Sequence, residues 1–425
     1  MSALLIMVFV LGYAAIAFEH PLRLNKAASA LITGVLCWTV YILSSHSHNE
    51  VTEQLIHHIG EISSILFFLL GAMTIVELID SHNGFEIIIS SIHTTSKRKL
   101  LITISIITFF LSAVLDNLTT AIVMTSLTAK LLNEKEDKLW FAGMIVIAAN
   151  AGGAWSPLGD VTTTMLWIGG QITALNIIYK TIFASLIVCL LPMLIVAYRF
   201  KGKYIESTAG KEMRKESGKD GKIILFSGIG LLLFVPLFKT VTHLPPFMGM
   251  LLALGIIWII TTVIHSDKDE EAKKKYNVAN ALRKIDAPSI LFFLGILLAV
   301  AALESFGLLK EMAGFLTTTL KNDYLIGSSL GVLSAIVDNV PLVAAAQGMY
   351  DLTTYPPDHP FWEFLALTTG TGGSMIIIGS AAGVAVMGIE NIRFGWYLKR
   401  ISWLALIGFV AGSLVYVAQQ LIFHS

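Results

Sequence analysis

The amino-acid sequence predicts an all-α polytopic membrane protein made of two inverted repeats of five spanning helices, each with a re-entrant helical hairpin and an interrupted helix. The prediction rests on composition, on the placement of positive charges and on an internal repeat. Of the 425 residues, 55% are hydrophobic and only 14% are charged, whereas about 25% of residues are charged in an average soluble domain. Such a composition is typical of a chain that crosses a lipid bilayer.

Ten apolar segments are predicted to span the bilayer, because about 20 apolar residues in a helix cross its hydrocarbon core. They comprise residues 1–18, 27–44, 61–79, 139–177, 180–199, 222–240, 246–264, 286–303, 361–388 and 401–422. Two of these segments, 139–177 and 361–388, contain clusters of glycine, and we expect an interrupted helix in each.

Two further apolar segments, 98–132 and 324–350, each carry a polar pair near the middle. The pair is Asp116-Asn117 in the first segment and Asp338-Asn339 in the second. Each half of these segments has about 11–18 residues, a length that favours a re-entrant hairpin over two full spans.

Positive charges indicate the orientation of the chain. If both hairpins return to the side on which they start, 25 of the 29 Lys and Arg residues fall on one face of the membrane. The opposite face keeps only Lys180, Lys239, Lys310 and Lys321. By the positive-inside rule the first face is cytoplasmic and both termini lie outside. We expect the membrane to be the inner membrane of a bacterium.

The two halves of the chain repeat each other. Residues 111–117 (LSAVLDN) match residues 333–339 (LSAIVDN), and the motif SILFFL occurs at both 64–69 and 289–294. The offsets are 222 and 225 residues, and the glycine clusters repeat at an offset of 220. Because each half has an odd number of full spans, the second half enters the membrane from the opposite side.

This repetition divides the chain into three parts. Residues 1–199 form the first transmembrane repeat, 200–221 a polar cytoplasmic linker and 222–425 the second, inverted repeat. Inverted repeats are the architecture of secondary transporters.

Asp116 and Asp338 are the first candidates for a functional site. A carboxylate near the centre of a bilayer costs at least ~2.5 kcal/mol, so it marks function by default. Asp and Asn offer the oxygen ligands that small, hard cations prefer. The alternative is that each Asp-Asn pair only caps the helix that follows it.

The glycine-rich breaks supply further candidates, although glycine clusters in membrane helices also serve close packing. The breaks are not equivalent, since Asp160 in the first aligns with Ser380 in the second. We therefore expect the richer site around the first repeat, completed from the other side by the second. The predicted cation- and proton-binding residues are Asp116, Asn117, Asn150, Ser156, Asp160, Asp338 and Asn339, and the secondary candidates are Thr119, Thr120, Thr371, Ser374, Ser380 and Glu77.

Four histidines, His46, His48, His57 and His58, fall in one predicted external loop. They could titrate near neutral pH or bind a metal, but a plain surface loop is the simpler interpretation.

Three segments together, 112–124, 152–160 and 334–341, resemble NhaD-type sodium/proton antiporters. These antiporters belong to the ion transporter superfamily, with arsenite permeases and sodium-coupled dicarboxylate carriers. The resemblance covers essentially the whole chain. It implies a homodimer in which a mobile part, carrying hairpin and interrupted helix, moves like an elevator. Dicarboxylate carriers place Ser-Asn-Thr at the hairpin tips; Asp116 and Asp338 replace that Ser here and disfavour an anionic substrate.

The sequence thus predicts a secondary active transporter that exchanges Na⁺ or Li⁺ for H⁺, with Asp116 as the first candidate to bind either ion. We expect no cofactor, no structural metal and no nucleic-acid partner. An arsenite or other anion permease is the alternative within transporters, and a channel is a different class. An enzyme is disfavoured, because no HExxH motif occurs.

Overall fold

A computed structural model describes residues 2–90, 92, 94–204 and 218–423. These residues form 22 helices. They are α1 Ser2–Ala17, α2 Glu19–Leu22, α3 Lys26–Ser44, α4 His48–Ser81, α5 Glu86–Ser90, α6 Lys97–Leu115, α7 Asn117–Leu131, α8 Lys135–Gly153, α9 Val161–Ile168, α10 Ala174–Arg199, α11 Lys219–Thr242, α12 Pro246–Ile264, α13 Glu270–Tyr276, α14 Val278–Lys284, α15 Ala287–Ser305, α16 Leu308–Leu320, α17 Asp323–Leu333, α18 Asn339–Met349, α19 Pro360–Gly372, α20 Ala381–Glu390, α21 Phe394–Arg400 and α22 Ser402–Phe423.

Eight helices in the described ranges are long and apolar enough to cross a membrane: α3, α4, α6, α10, α11, α12, α15 and α22. The prediction of an all-helical polytopic membrane protein is confirmed. Two more apolar helices are shorter, with 16 residues in α1 and 10 in α20.

Both glycine-rich apolar segments are broken helices. The first is divided into α8 and α9, with residues 154–160 between them, and the second into α19 and α20, with residues 373–380 between them. Asp160 caps the start of α9 by accepting a hydrogen bond from the Thr162 amide. Ser380 caps α20 in the same way. The chain therefore ends one helix and starts another within the apolar segment.

The polar pairs also stand where two helices meet. α6 ends at Leu115 and α7 begins at Asn117, so Asp116 alone forms the turn. Between α17 and α18 the turn is longer and ends at Asp338. α6 has 19 residues, slightly more than the length expected for half of a hairpin, and is itself long enough to cross the membrane.

In each of these helix pairs, the start of the first helix lies beside the segment that follows the second helix. At the beginning of α6, the Lys97 ammonium lies 2.7 Å from the Glu134 carboxylate, just beyond the end of α7. At the beginning of α17, the Asp323 carboxylate accepts a hydrogen bond of 2.6 Å from the Tyr355 hydroxyl, beyond the end of α18. Both pairs therefore fold back as hairpins.

The open ends of the two hairpins lie at opposite ends of α10. Arg199, at its last residue, pairs at 2.6 Å with Glu136 beside the first hairpin. Asn176, in its first turn, donates a hydrogen bond to Glu363 beside the second hairpin. A helix of 26 residues is about 39 Å long, so the open ends of the two hairpins lie far apart.

Packing joins the two halves of the chain closely. α15 packs against α3 and α22 packs against α10, while within each half α6 packs against α8 and α17 against α19. The Trp38 indole of α3 donates a hydrogen bond of 2.9 Å to the Leu298 carbonyl of α15. These contacts leave the hairpin tips enclosed between the halves.

The prediction that the histidines form a loop is wrong for three of them. His48, His57 and His58 lie on α4, which begins 13 residues before the apolar segment that starts at residue 61. Polar residues such as Glu and Gln are good helix formers, so the helix extends beyond the membrane core. One potential metal-ligand atom each from His57, His58 and Glu61 lies within 4.8 Å of the others. Most of the predicted linker, residues 205–217, lies outside the described residues.

Candidate cation site

Three carboxylates from different elements line a single cavity of about 50 Å³. They belong to Asp116 at the tip of the first hairpin, Asp160 at the start of α9 and Asp338 before α18. Asn117 and Asn339 line the same cavity. The folded chain therefore brings both Asp-Asn pairs and the extra carboxylate of the first break to one place.

Asp160 lies at the centre of this group and is almost completely buried. One of its oxygens accepts a hydrogen bond of 2.6 Å from the Asn117 amide. The Asn339 amide lies 3.3 Å from both oxygens. Thr162 donates through its backbone amide and its hydroxyl, both at 2.9 Å. The asparagines of both hairpins thus meet on a single carboxylate.

Asn150 connects the two helix breaks and is fully buried. Its side-chain oxygen accepts a hydrogen bond of 3.1 Å from Asn117. Its amide group donates to the hydroxyls of Ser374 and Ser380, at 2.9 and 3.0 Å. A polar network with every member satisfied is stable inside a protein and fixes the relative position of its elements.

Asp116 has a backbone conformation that L-residues rarely adopt, with φ 90° and ψ 155°. Such a conformation costs of the order of 1–3 kcal/mol and persists where the surrounding structure requires it. The carboxylate accepts hydrogen bonds from the Thr119 amide at 2.7 Å and the Thr119 hydroxyl at 2.8 Å. Asp116 therefore caps α7 and faces the cavity as well.

Asp338 has the same double role. It caps α18 through the Val340 amide at 3.2 Å, and its own backbone amide donates to the Tyr13 hydroxyl of α1 at 2.9 Å. The capping interpretation of the Asp-Asn pairs and the cavity-lining interpretation are thus compatible for both aspartates.

Glycine allows each hairpin to touch the broken helix beside it. A Cβ atom on Gly152 would lie 2.1 Å from the carbonyl oxygen of Phe109 in α6. A Cβ atom on Gly372 would lie 2.0 Å from the carbonyl oxygen of Gly331 in α17. Because real Cβ atoms never approach a carbonyl so closely, only glycine fits at these two positions.

Serine hydroxyls make a second matched pair of contacts. Ser112 of α6 donates to the Ala149 carbonyl of α8, and Ser334 donates to the Thr369 carbonyl of α19, both at 2.6 Å. Each hairpin is therefore bonded to its own broken helix through the same chemistry.

Several predicted residues lie elsewhere. The Ser156 hydroxyl donates to the Ala113 carbonyl at 2.5 Å and does not line the cavity. Thr371 bonds to the Leu367 carbonyl of its own helix. The Thr120 hydroxyl is buried with no partner among the described residues. Glu77 lies outside the cavity.

Sequence reasoning missed the aromatic walls of the cavity. Phe68 of α4 and Phe293 of α15 both line it, and both occupy the fifth position of the repeated SILFFL motif. The repeat was the signal that could have identified them. It also missed Glu363, which is buried and accepts a hydrogen bond of 2.5 Å from the Tyr416 hydroxyl.

Comparison with known proteins places the chain among transporters. Residues 13–370 match the family model described as a citrate transporter, CitMHS. The chain is 46% identical to sodium/proton antiporter 1 of Arabidopsis thaliana, over 97% of this chain and 71% of that protein. It is 45% identical to sodium/proton antiporter 2 of the same plant, over 97% and 98%. Identity to the Na⁺/H⁺ antiporter NhaD of Vibrio cholerae is 28%, over 97% and 90%.

The fold and these similarities define a membrane transporter of the CitMHS family. Within that family the chain belongs to the NhaD-type sodium/proton antiporters.

Proposed function

We propose that the protein exchanges Na⁺ or Li⁺ for H⁺ at the cavity lined by Asp116, Asp160 and Asp338. The observation that carries this proposal is the convergence of three carboxylates on a space of about 50 Å³. Carboxylate, amide and hydroxyl oxygens are ligands for hard cations. A space of this size suits a small cation better than a bulky substrate.

Exchange follows from competition for the same oxygens. Carboxylates grouped in a site of low dielectric constant repel one another unless a cation or a proton compensates their charge. A bound proton removes the charge that the cation needs, so one ion displaces the other. The site then crosses the membrane only when loaded with one of them.

The residues have separate roles in this scheme. Asp116 is the first candidate for direct binding of cation or proton, because its carboxylate faces the cavity and is held by Thr119 of the helix that it caps, not by the opposite hairpin. Asp160 and Asp338 are its coupled partners. Asn117 and Asn339 hold Asp160 between the hairpins, and Asn150 holds Asn117 in place.

Architecture supports alternating access. We interpret residues 1–199 and 222–425 as inverted repeats joined by a linker at 200–221. The two hairpins open at opposite ends of α10, and matched serine and glycine contacts fasten each one to its broken helix. We propose that these parts move together as an elevator in a homodimer.

Transport of citrate or another anion is the second candidate, because the matching family model is described as a citrate transporter. The charge of the residues that line the cavity disfavours an anionic substrate. Three carboxylates line the cavity, and none of its described lining residues is Lys or Arg. An anion with several carboxylates would meet strong repulsion there and is also several times larger than a water molecule.

Transport by the purified protein in proteoliposomes tests the proposal. Vesicles are loaded at acid pH, NaCl, LiCl or KCl is added outside, and lumenal pH is followed. We expect alkalinisation with Na⁺ or Li⁺. Absence of a response to every cation, together with uptake of labelled citrate, would overturn the proposal.

Asp116→Asn tests the assignment of the residue, since it keeps the shape of the side chain and removes its charge. We expect loss of sodium-driven proton flux in this variant. Glu311→Gln, which removes a charge from an exposed position on α16, is the matched control and should transport normally. Normal apparent affinity for Na⁺ in Asp116→Asn would refute the assignment.

A further inference from the structure

Two more cavities continue from the carboxylate cavity towards the Lys- and Arg-rich face. A cavity of about 230 Å³ shares Met73, Leu118 and Thr119 with it. A third, of about 300 Å³, shares Ile122 and Val123 with the second. Leu118 and Thr119, and then Ile122 and Val123, lie on consecutive turns of α7, so the cavities form a row along this helix.

The row ends at the face that carries most of the positive charge. Lys130, in the last turn of α7, lines the outermost cavity. Lys284, at the end of α14, lines the middle cavity. The first hairpin opens at this same end of the molecule.

Carboxylates along the two outer cavities are mostly neutralised. Glu77 lies 3.1 Å from the Lys284 ammonium, and Glu86 lies 2.7 Å from the Lys130 ammonium. A third carboxylate, that of Asp286, accepts hydrogen bonds from the amide and hydroxyl of Ser289 at the start of α15.

Asp80 differs from these carboxylates. It lines both outer cavities, and its side chain is exposed. Within the described ranges, its carboxylate has neither an ion pair nor a hydrogen bond. Its charge is therefore available to a cation that arrives from the solvent.

We propose that this row of cavities is the route by which Na⁺ reaches the carboxylate cavity from the Lys- and Arg-rich face, and that Asp80 recruits the cation at its mouth. The inference rests on the proposed function and adds the side of access and the recruiting residue. A negative charge in a cleft with apolar walls raises the local concentration of cations. Because Glu77 and Glu86 are already paired with lysines, they do not compete with Asp80 for the incoming cation.

The test is Asp80→Asn, assayed from each face separately. Everted membrane vesicles expose the Lys- and Arg-rich face if it is cytoplasmic, and right-side-out vesicles expose the other. We expect the Na⁺ concentration at half-maximal rate to rise roughly threefold or more from the first face only. The maximal rate should stay unchanged, because Asp80 does not line the inner cavity. Added inert salt should shrink the difference between variant and wild type.

Asp267→Asn is the control, since Asp267 is exposed just beyond the end of α12 on the same face and lines none of the three cavities. It should leave the half-saturating Na⁺ concentration unchanged. If Asp80→Asn had the half-saturating Na⁺ concentration of wild type, or raised it equally from both faces, the proposed route would be wrong. Sodium-driven proton flux in the wild type would still support the proposed function. Absence of sodium-driven proton flux in the wild type would instead overturn the proposed function itself.

Discussion

At the scale of single residues, Asp160 connects the two hairpins through hydrogen bonds. Asn117 and Asn339 both donate to it, although they are separated by more than 200 residues in the chain. The sequence could predict that carboxylates in apolar segments form a site, because burying an unused charge is costly. It could not predict that Ser156 turns towards the Ala113 carbonyl, since the direction of a side chain depends on which acceptors the folded backbone presents.

Asp160→Asn should abolish sodium-driven proton flux while the protein remains folded. An asparagine can still cap α9, but it carries no charge to hold the cation. We expect a fall in rate of more than about tenfold, measured in proteoliposomes, with a cooperative unfolding transition in detergent at a lower melting temperature, because Asn117 and Asn339 lose an acceptor oxygen.

Asp160→Ala supplies the contrast. It removes the cap, the charge and the acceptor for Asn117 and Asn339, and should lower the free energy of unfolding by about 1–3 kcal/mol. Substantial transport by either variant would show that Asp160 is not needed for ion exchange.

At the scale of helices, the glycine breaks serve close packing as well as lining the site. Packing and binding are the two explanations for these glycine clusters, and Gly152 and Gly372 each pack against a hairpin carbonyl. The location of each break could be predicted from Gly and Pro, which disfavour helix. The carbonyl that each glycine touches could not, because it belongs to a helix whose position is fixed by tertiary packing.

Gly152→Ala should destabilise the protein by about 1–3 kcal/mol, the typical cost of forcing an extra methyl group into a packed core. Gly314→Ala is the matched control, because a Cβ atom there meets open space. The control should keep or raise the melting temperature, since alanine favours helix over glycine by roughly 0.5–1 kcal/mol. Equal melting temperatures for the two variants would contradict the close contact at Gly152.

A histidine pair joins the ends of two spanning helices on the Lys- and Arg-rich face. The Nε2 atoms of His82 and His265 lie 2.8 Å apart, and His82 Nδ1 lies 2.6 Å from the Leu78 carbonyl. His82 donates from Nδ1 to that carbonyl, and when both rings are neutral the contact between the two Nε2 atoms is completed by donation from His265. Burial lowers the pKa of His82 and of His265 below 6.5, and the nearby Lys268 adds to the effect, although Asp220 opposes it.

Acid should therefore weaken this contact. Above pH 6.5 the pair is neutral in both folded and unfolded protein and its full contribution is present. As the pH falls from 6.5 towards the lower folded-state pKa, the unfolded protein gains protons first, and the contribution is lost.

A double variant, His82→Gln with His265→Gln, should lose less of its melting temperature than wild type between pH 7 and pH 5. An equal or larger loss would show that the histidines do not titrate in this way.

At the scale of the whole molecule, the all-helical, polytopic membrane character is the part that composition predicts best, and the orientation drawn from charge placement stays a prediction. Apolar length and the positive-inside rule need no knowledge of packing. The meeting of both hairpins on one cavity required the structure, because it depends on contacts such as those of Asn117 and Asn339 with Asp160, which local sequence does not determine.

Cysteine labelling tests the inverted arrangement of the hairpins. Lys135→Cys lies near the open end of the first hairpin and Thr353→Cys near that of the second, and both positions are exposed. The native Cys37 and Cys189 are buried, so background labelling should be low. A membrane-impermeant maleimide should label the two variants from opposite faces of the membrane. Labelling of both from the same face would refute inverted repeats.

The dependence of Na⁺ affinity on pH tests the central claim most directly, namely that Na⁺ and H⁺ compete for one set of carboxylates. The rate of exchange is measured against Na⁺ concentration at several pH values on the acid side of the activity optimum. Competition predicts that the half-saturating Na⁺ concentration rises up to tenfold for each unit of falling pH while the maximal rate stays constant. A constant half-saturating concentration with a falling maximal rate would mean that the two ions bind separate sites, and it would contradict the account.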